Sequence, residues 1–147
     1  MHARVCIQDA GAKKFKSITE KTTEEVLSFL KIKNRAVDIF FLTSQKMHTL
    51  NVVHKGKDRP TNILSFEPEH SFVYAPESKI SLGEIYLCIS VIRKEVKKYN
   101  MKSTEYRIQE LIIHGILHLL GYTHTGKRDI IEMQKKEQEI LSNIHTL

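Results

Sequence analysis

Three histidines fall within one short segment of this chain, and their spacing restricts the structure around them. His114 and His118 are four residues apart, so on an α-helix both imidazoles project from one face, one turn from each other. Gly121 then offers a helix end, because glycine tolerates the left-handed conformation that turns the chain. His124 follows three residues later and can swing back over the first two. This arrangement predicts three corners of a tetrahedral metal site with an open fourth corner, which is typical of catalytic zinc.

The residues around the first two histidines indicate that their helix is buried. Apolar side chains surround it almost completely: Leu111, Ile112, Ile113, Ile116, Leu117, Leu119 and Leu120. Burying two imidazoles without partners costs roughly 2–4 kcal/mol, and a bound metal ion would satisfy both. We therefore favour a metal site over the alternative, a cluster of core histidines that are only hydrogen-bonded.

The same spacing, H-x-x-x-H-x-x-G-x-x-H, is found in the metzincin proteases, where a glutamate after the first histidine acts as general base. Gly115 occupies that position here and can neither accept nor donate a proton. Hydrolysis of peptides by that mechanism is therefore disfavoured. Because glycine inside a helix costs about 1 kcal/mol relative to alanine, Gly115 predicts the close approach of a strand or another helix.

Three segments together resemble a known family. Residues 114–124 read H-G-I-L-H-L-L-G-Y-T-H, residues 50–66 read L-N-V-V-H-K-G-K-D-R-P-T-N-I-L-S-F, and residues 82–88 read L-G-E-I-Y-L-C. Their order and spacing, with Met133 and Glu137 in the tail, are similar to those of the bacterial YbeY-type endoribonucleases, also called rRNA maturation factors. The signature of that family resembles H-G-x-L-H-L-x-G-Y-D-H.

The resemblance implies a zinc-dependent endoribonuclease that is specific for single-stranded RNA and acts in 16S rRNA 3′-end maturation and ribosome quality control. It implies that one Zn²⁺ ion per chain is bound by three ligands: His114, His118 and His124. The family has a basic residue in its substrate cleft, an arginine, which corresponds to Lys55 here. We therefore expect a catalytic role for Lys55 and contacts with the RNA backbone from Lys55, Lys57 and Arg59.

Three departures from the family pattern bear on this hypothesis. Lys55 keeps the charge of the family arginine but lacks the planar fork that binds phosphate through two parallel hydrogen bonds. Thr123 stands where the family has an aspartate. If that aspartate holds an imidazole or a coordinated water, metal affinity is lower here. Glu84 replaces another aspartate and retains its carboxylate on a longer side chain.

Length and charge narrow the range of partners. The chain has 147 residues and a formal net charge of +6, which favours one domain covering residues 1–147 and an anionic partner. We expect single-stranded ribosomal RNA, with the small ribosomal subunit as a further partner, and neither DNA nor a membrane. No long apolar segment follows the first residues, so no secretory signal is expected. Cys6 and Cys88 are predicted to be buried, reduced core residues, which indicates the cytoplasm.

Local patterns predict an α+β fold in the order β-α-β-α-β-β-α-α-α, with one mixed sheet. Strands are predicted at residues 4–8, 36–43, 61–66 and 80–89. Helices are predicted at residues 22–33, 44–53, 90–99, 103–120 and 127–143. A capping box beginning at Thr22 opens the first helix, and Ser44, Ser90 and Ser103 are predicted caps. Residues 67–79 are predicted to form a mobile loop. The family resemblance implies the same architecture, a four-stranded mixed sheet packed by helices.

Two other functions remain open at this stage. One is a metal-dependent hydrolase of another substrate, such as a peptide, against which the missing glutamate counts. The other is a non-catalytic ribosome assembly factor that binds RNA and uses the metal to hold its fold, an alternative that the departures at Lys55 and Thr123 keep open. Three imidazoles suit Zn²⁺ but also Ni²⁺, Cu²⁺ and Co²⁺.

Overall fold

A mixed sheet of four strands lies between the helices in a computed structural model of the chain, which describes residues 2–68 and 80–144. The strands are β1 (Ala3–Ile7), β2 (Arg35–Phe41), β3 (Ile63–Phe66) and β4 (Ile80–Leu87). Their order is β1-β2-β4-β3, with β1, β2 and β4 parallel and β3 antiparallel to β4. In this order β2 lies inside the sheet and β3 at its edge. Most of the predicted loop at 67–79 lies outside the described residues.

Helices cover both faces of the sheet. Within the described residues they are α1 (Lys16–Phe29), α2 (Ser44–Lys55), α3 (Ile89–Lys98), α4 (Thr104–Leu119) and α5 (Lys127–Asn143), and a 3₁₀ segment (Ala10–Phe15) leads into α1. The main core lies where α1, α4 and α5 pack on one face, while α2 packs on the other. Strand alternation produces this division, since Ile39 and Phe41 point into the main core and Phe40 towards α2. The predicted α+β fold and its four-stranded mixed sheet are confirmed.

The helix that carries the first two histidines is the most buried helix of the fold. In α4, the side chain of Ser103 caps the first turn and accepts a hydrogen bond from the Tyr106 N–H at 3.0 Å, as predicted. More than half of its 16 residues are buried, on faces that contact the sheet, α1, α3 and α5. Even so, no helix among the described residues has the length and apolar character needed to cross a membrane.

Two glycines allow α4 to lie close to the sheet. A Cβ atom on Gly115 would lie 2.9 Å from Ile85 Cδ1 and 3.1 Å from Ile63 Cδ1, so the helix approaches β3 and β4 through this residue. The predicted close approach is therefore confirmed. Gly83 in β4 has φ +146°, and a Cβ there would lie 2.5 Å from the Phe66 carbonyl oxygen and 2.6 Å from Leu119 Cδ2. Only glycine fits this backbone conformation without strain.

The predicted start of the first helix is wrong. α1 begins at Lys16, and Thr22 lies in its buried middle rather than at a cap. The Thr22 hydroxyl accepts a hydrogen bond from Gln109 Nε2 at 3.1 Å, and the Thr23 hydroxyl donates to the Thr19 carbonyl oxygen at 2.8 Å. Threonine hydroxyls can be satisfied by a neighbouring helix or by the preceding turn, so a sequence pattern typical of a cap also fits a buried helix interior.

The other predicted elements begin and end within two residues of the observed bounds. Two caps are displaced by one or two residues. Thr43, not Ser44, caps α2 through its side chain, and Cys88, not Ser90, precedes the first residue of α3. These differences are of the size expected where the last turn of a helix frays.

One of the two cysteines is not where the sequence predicts it. Cys88 is buried, as expected, but Cys6 is exposed. Val5 and Ile7 of β1 pack against the main core, so the side chain of Cys6 points to the opposite face of the sheet. The described residues that pack under α2 come from β2, β3, β4 and the adjoining segments, and none comes from β1. An apolar strand at the edge of a sheet is therefore covered on one face only.

The two glycines predict different responses to the same substitution. We expect Gly83→Ala to lower the free energy of unfolding by about 2–4 kcal/mol, because it combines a disfavoured φ with a clash against a backbone oxygen that cannot move. Gly115→Ala meets only the ends of isoleucine side chains and gains helix propensity of about 1 kcal/mol, so its effect is expected to stay within about 1 kcal/mol. Urea unfolding of both variants measures the difference. Equal losses would contradict this account of Gly83.

Candidate metal centre

The end of α4 turns the chain back towards the helix. Gly121 has φ +100°, in the left-handed region. Its N–H donates to the His118 carbonyl oxygen at 3.0 Å, and the Tyr122 N–H donates to the Leu117 carbonyl oxygen at 3.0 Å. These two bonds form a Schellman motif, in which a glycine after the helix allows the last carbonyl groups to be satisfied. The turn predicted at Gly121 is thus present, and it brings His124 to the side of α4.

The three predicted ligands come together at this turn. His114, His118 and His124 each offer a ring nitrogen within 4.8 Å of the other two. The Nε2 atoms of His114 and His118 are 3.0 Å apart. Bonds of about 2.0–2.1 Å in a tetrahedral zinc site place two ligand nitrogens about 3.3 Å apart. The three side chains can therefore hold one metal ion with little movement, and their nitrogen donors suit a divalent transition metal.

The remaining ring nitrogens have hydrogen-bond partners that orient the rings. His118 Nδ1 lies 2.9 Å from the Tyr122 carbonyl oxygen, and His114 Nδ1 lies 3.1 Å from Glu137 Oε2. A carbonyl and a carboxylate only accept, so each Nδ1 is the donor and each Nε2 carries a lone pair. The two lone pairs face each other at 3.0 Å, where a shared cation satisfies both. Metal-binding histidines commonly have such partners behind the ring.

Burial keeps the two helical histidines uncharged. It lowers the pKa of His114 to about 4, and the positive charges of His124 and Arg107 act in the same direction. Burial is also the main cause that lowers the pKa of His118, and the electrostatic effect of His114 lowers it further. Both side chains are consequently neutral imidazoles at pH 7, which is the form that binds metals.

A cleft of about 360 Å³ opens over the histidines. Its walls come from α4, from the segment that carries His124, from β3 and from the last residue of α2. Lys55 is that last residue, while β3 and its end contribute the Ser65 hydroxyl and the Glu67 carboxylate. The cleft therefore combines imidazole nitrogens that could hold a metal ion with one positive charge, one negative charge and the apolar side chains of Ile63, Leu64 and Leu119.

The three basic residues predicted to contact RNA do not occupy equivalent positions. Lys55 lines the cleft with the histidines. Lys57 and Arg59 follow Gly56, which ends α2 with φ +66°, and their side chains are exposed on a loop outside the residues that line the cleft. The buried side chain of Asn51 anchors this loop by donating to the Arg59 carbonyl oxygen at 2.7 Å.

Sequence reasoning did not identify the residues that support the ligands. Glu137 was noted only as part of the family-like tail, and Asp129 was not noted. Asp129 Oδ2 accepts hydrogen bonds from the hydroxyls of Thr123 and Thr125, at 3.2 Å and 3.0 Å. These carboxylates are on a different helix from His114 and His118. No local spacing rule connects them, although two acidic residues near a histidine cluster are a signal to search for hydrogen-bond partners.

The burial of His114 predicts a pH-dependent stability for the metal-free protein. Its folded pKa of about 4 lies below the ordinary value of 6.5, so the unfolded chain binds more protons between these values. The free energy of unfolding therefore decreases as pH falls from about 6.5 towards 4. Glu137 acts in the opposite direction, because burial raises its pKa, but a His114→Gln variant retains it. We expect the free energy of unfolding of this variant to depend less on pH than that of the wild type, when both are unfolded by denaturant in the presence of a chelator. Identical slopes of the free energy of unfolding against pH would contradict the prediction.

Comparison with known proteins identifies the family. The description of the family that matches residues 5–145 is Endoribonuclease YbeY. Endoribonuclease YbeY of Buchnera aphidicola subsp. Schizaphis graminum is 36% identical over 126 residues, which cover 86% of this chain and 77% of that protein. Endoribonuclease YbeY of Thermodesulfovibrio yellowstonii is 36% identical over 136 residues, covering 90% and 83%.

A solved structure supports the same assignment. The solution structure of TM1509 from Thermotoga maritima superimposes with a TM-score of 0.64 at 28% sequence identity, and the match covers 95% of this chain and 87% of that one. The likeness therefore extends over the sheet and the helices as well as the histidine segment. On the family match and the sequence identity to both relatives, this chain belongs to the Endoribonuclease YbeY family.

Proposed function

We propose that this protein is a metal-dependent endoribonuclease that cleaves single-stranded RNA. The observation that carries the proposal is the cleft in which three imidazoles and the side chain of Lys55 border the same space. The two relatives named above are endoribonucleases, which supports RNA as the substrate. The net charge of +6 favours an anionic substrate as well.

The three histidines are arranged so that they could hold a metal ion. A metal bound by His114, His118 and His124 would supply Lewis-acid assistance at the phosphodiester. The low pKa of His114 and His118 means that these imidazoles need not lose a proton to bind it at neutral pH. The hydrogen bonds at Nδ1 keep both Nε2 lone pairs directed towards the shared position.

Lys55 supplies the positive charge of the cleft. It is the last residue of α2, and its ammonium group can contact a phosphate oxygen and offset negative charge that develops during cleavage. Lys57 and Arg59 are proposed to hold the RNA backbone outside the cleft, on the loop that leads to β3. In this proposal Lys55 contacts the reacting phosphate, whereas Lys57 and Arg59 only position the strand.

The surroundings of Gly115 count against a protease of the metzincin type. The Cβ direction of this residue points at Ile85 and Ile63 in the core rather than into the cleft. A glutamate in this position would be buried between the helix and the sheet, so this fold cannot present a general base from the residue after the first histidine.

We further propose the finer function that the family resemblance implies. The metal is Zn²⁺, and the reaction serves 3′-end maturation of 16S rRNA and ribosome quality control, with the small ribosomal subunit as partner. We also propose that the protein acts in the cytoplasm, in keeping with the bacterial family that it resembles.

The decisive measurement is cleavage of a labelled single-stranded fragment from the 3′ region of 16S rRNA. We expect the zinc-loaded protein to cleave the fragment and His118→Ala, purified in parallel, to be inactive, because the variant lacks one of the three ligands. Equal cleavage by both proteins would indicate a contaminating nuclease. Absence of cleavage by both, with RNA binding retained in the metal-free protein, would instead favour the assembly factor.

Lys55 variants test the contact with the phosphate. Lys55→Met is expected to lower kcat/KM by roughly 10- to 100-fold, the effect of losing a charged hydrogen bond of about 1.5–3 kcal/mol. Lys55→Arg is expected to retain activity, since it restores the charge with a fork that suits phosphate. Lys57→Met is expected to raise KM and leave kcat unchanged.

The exposed Lys135 on α5 provides a matched control for loss of one positive charge, as Lys135→Met. Unchanged kcat/KM in Lys55→Met, or a loss of the same size in Lys135→Met, would remove Lys55 from the site. A loss in kcat for Lys57→Met as large as that for Lys55→Met would overturn the proposed division of roles.

A further inference from the structure

Two carboxylates on α5 contact the segment that carries the three histidines or one of the histidines itself. Glu137 accepts a hydrogen bond from His114 Nδ1 at 3.1 Å, with only about a quarter of each side chain exposed, 25% and 27%. In the first turn of α5, Asp129 accepts hydrogen bonds from Thr123 and Thr125, the two residues on either side of His124. A single helix therefore contacts two separate parts of the ligand set.

We propose that α5 is the positioning element of the metal centre, with Glu137 holding the ring of His114 and Asp129 holding the segment that carries His124. This inference rests on the proposed metal site. Neither carboxylate belongs to the group of ligand atoms that surrounds the metal position. Both act through another residue and are positioning residues rather than catalytic ones.

The partners of Glu137 support this role. Among the described residues, its hydrogen bond is with His114, whereas the neighbouring carboxylates of Glu95 and Glu110 pair with Arg107. A half-buried carboxylate loses part of its hydration, so a fixed donor is needed to offset that cost. The His114 N–H is such a donor, and the same bond sets which ring nitrogen is free to bind metal.

The contacts of Asp129 explain how this chain accommodates Thr123. The family signature has an aspartate in that place, and a carboxylate beside Asp129 would be repelled. A threonine hydroxyl donates to Asp129 instead, and the Thr125 hydroxyl donates to the same oxygen, Oδ2. His124 lies between these two anchors, so a shift of α5 or the loss of Asp129 loosens the segment that carries the one proposed ligand outside α4.

The two contacts are expected to differ in strength. Glu137 contacts the ring of His114 directly. Loss of the carboxylate therefore changes the orientation and the basicity of that ring. Asp129 acts through backbone between two hydroxyls, and its exposed surroundings weaken each hydrogen bond. Glu139 offers a matched control. It lies two residues from Glu137 on the same helix, and its exposed carboxylate pairs with Lys136 at 3.4 Å.

The test is the affinity of the purified full-length protein for Zn²⁺, measured by competition with a chromophoric chelator. We expect Glu137→Ala to weaken binding by roughly 10- to 100-fold. Glu137→Gln is expected to lose less, because its amide oxygen still accepts from His114 Nδ1. Glu139→Gln is expected to match the wild type. The absorption spectrum of bound Co²⁺ reports ligand geometry and is expected to change in Glu137→Ala but not in Glu139→Gln.

A double-mutant cycle tests Asp129. We expect Asp129→Ala and Thr123→Val each to weaken Zn²⁺ binding by a smaller factor than Glu137→Ala. Together they are expected to cost less than the product of the two single effects, because both remove the same contact. Fully independent effects would overturn the role of Asp129.

The melting temperature of each metal-free variant separates positioning from folding. A merely structural role predicts a lower melting temperature with unchanged metal affinity. That result, or equal metal affinity in Glu137→Ala and the wild type at any melting temperature, would overturn the inference. The proposed metal site would remain in place. Failure of the wild-type protein itself to bind Zn²⁺ or Co²⁺ would overturn both the inference and the proposed metal site.

Discussion

The close contact between α4 and the sheet, made through Gly83 and Gly115, is the constraint on which the rest of the structure depends. A Cβ atom on Gly115 would meet Ile85 and Ile63, so its absence lets the helix lie directly on β3 and β4. This contact places β3 beside the end of α4, where it becomes a wall of the cleft over His114 and His118. Gly83 makes the same arrangement possible from the strand side, because it leaves room for Leu119. The cleft thus exists because two buried elements approach each other more closely than side chains normally permit.

The histidine cluster imposes a local cost on this core. Burial suppresses the charged form of His114 and His118, and their Nε2 lone pairs face each other at 3.0 Å. Without a cation, this arrangement is less favourable than an apolar one of the same shape. Hydrogen bonds at the two Nδ1 atoms hold the rings in place nonetheless. Local arrangements that do not favour stability are common at functional sites, since binding of the ligand recovers the free energy.

Some features were predictable because their causes are local. Apolar side chains almost all round residues 111–120 indicated a buried helix, and Ser103 was correctly predicted as its cap. The start of α1 and the burial of Cys6 were predicted wrongly for a shared reason. In each case the local pattern was compatible with two environments, and the neighbouring elements determined which one occurs. Thr22 has Gln109 as a partner across the core, while Cys6 lies on a face of β1 that α2 does not cover.

The sequence alone determined the spacing of the ligands and the turn that joins them. His114 and His118 share a helix face through the period of the α-helix, and Gly121 supplies the conformation that returns the chain towards them. The tertiary structure alone decided which residues surround those ligands. Glu137 lies 23 positions from His114 along the chain, and Lys55 comes from a helix on the other face of the sheet. Such contacts follow from how separate elements pack, because hydrogen bonds and charges act over a few ångströms in space regardless of separation in sequence.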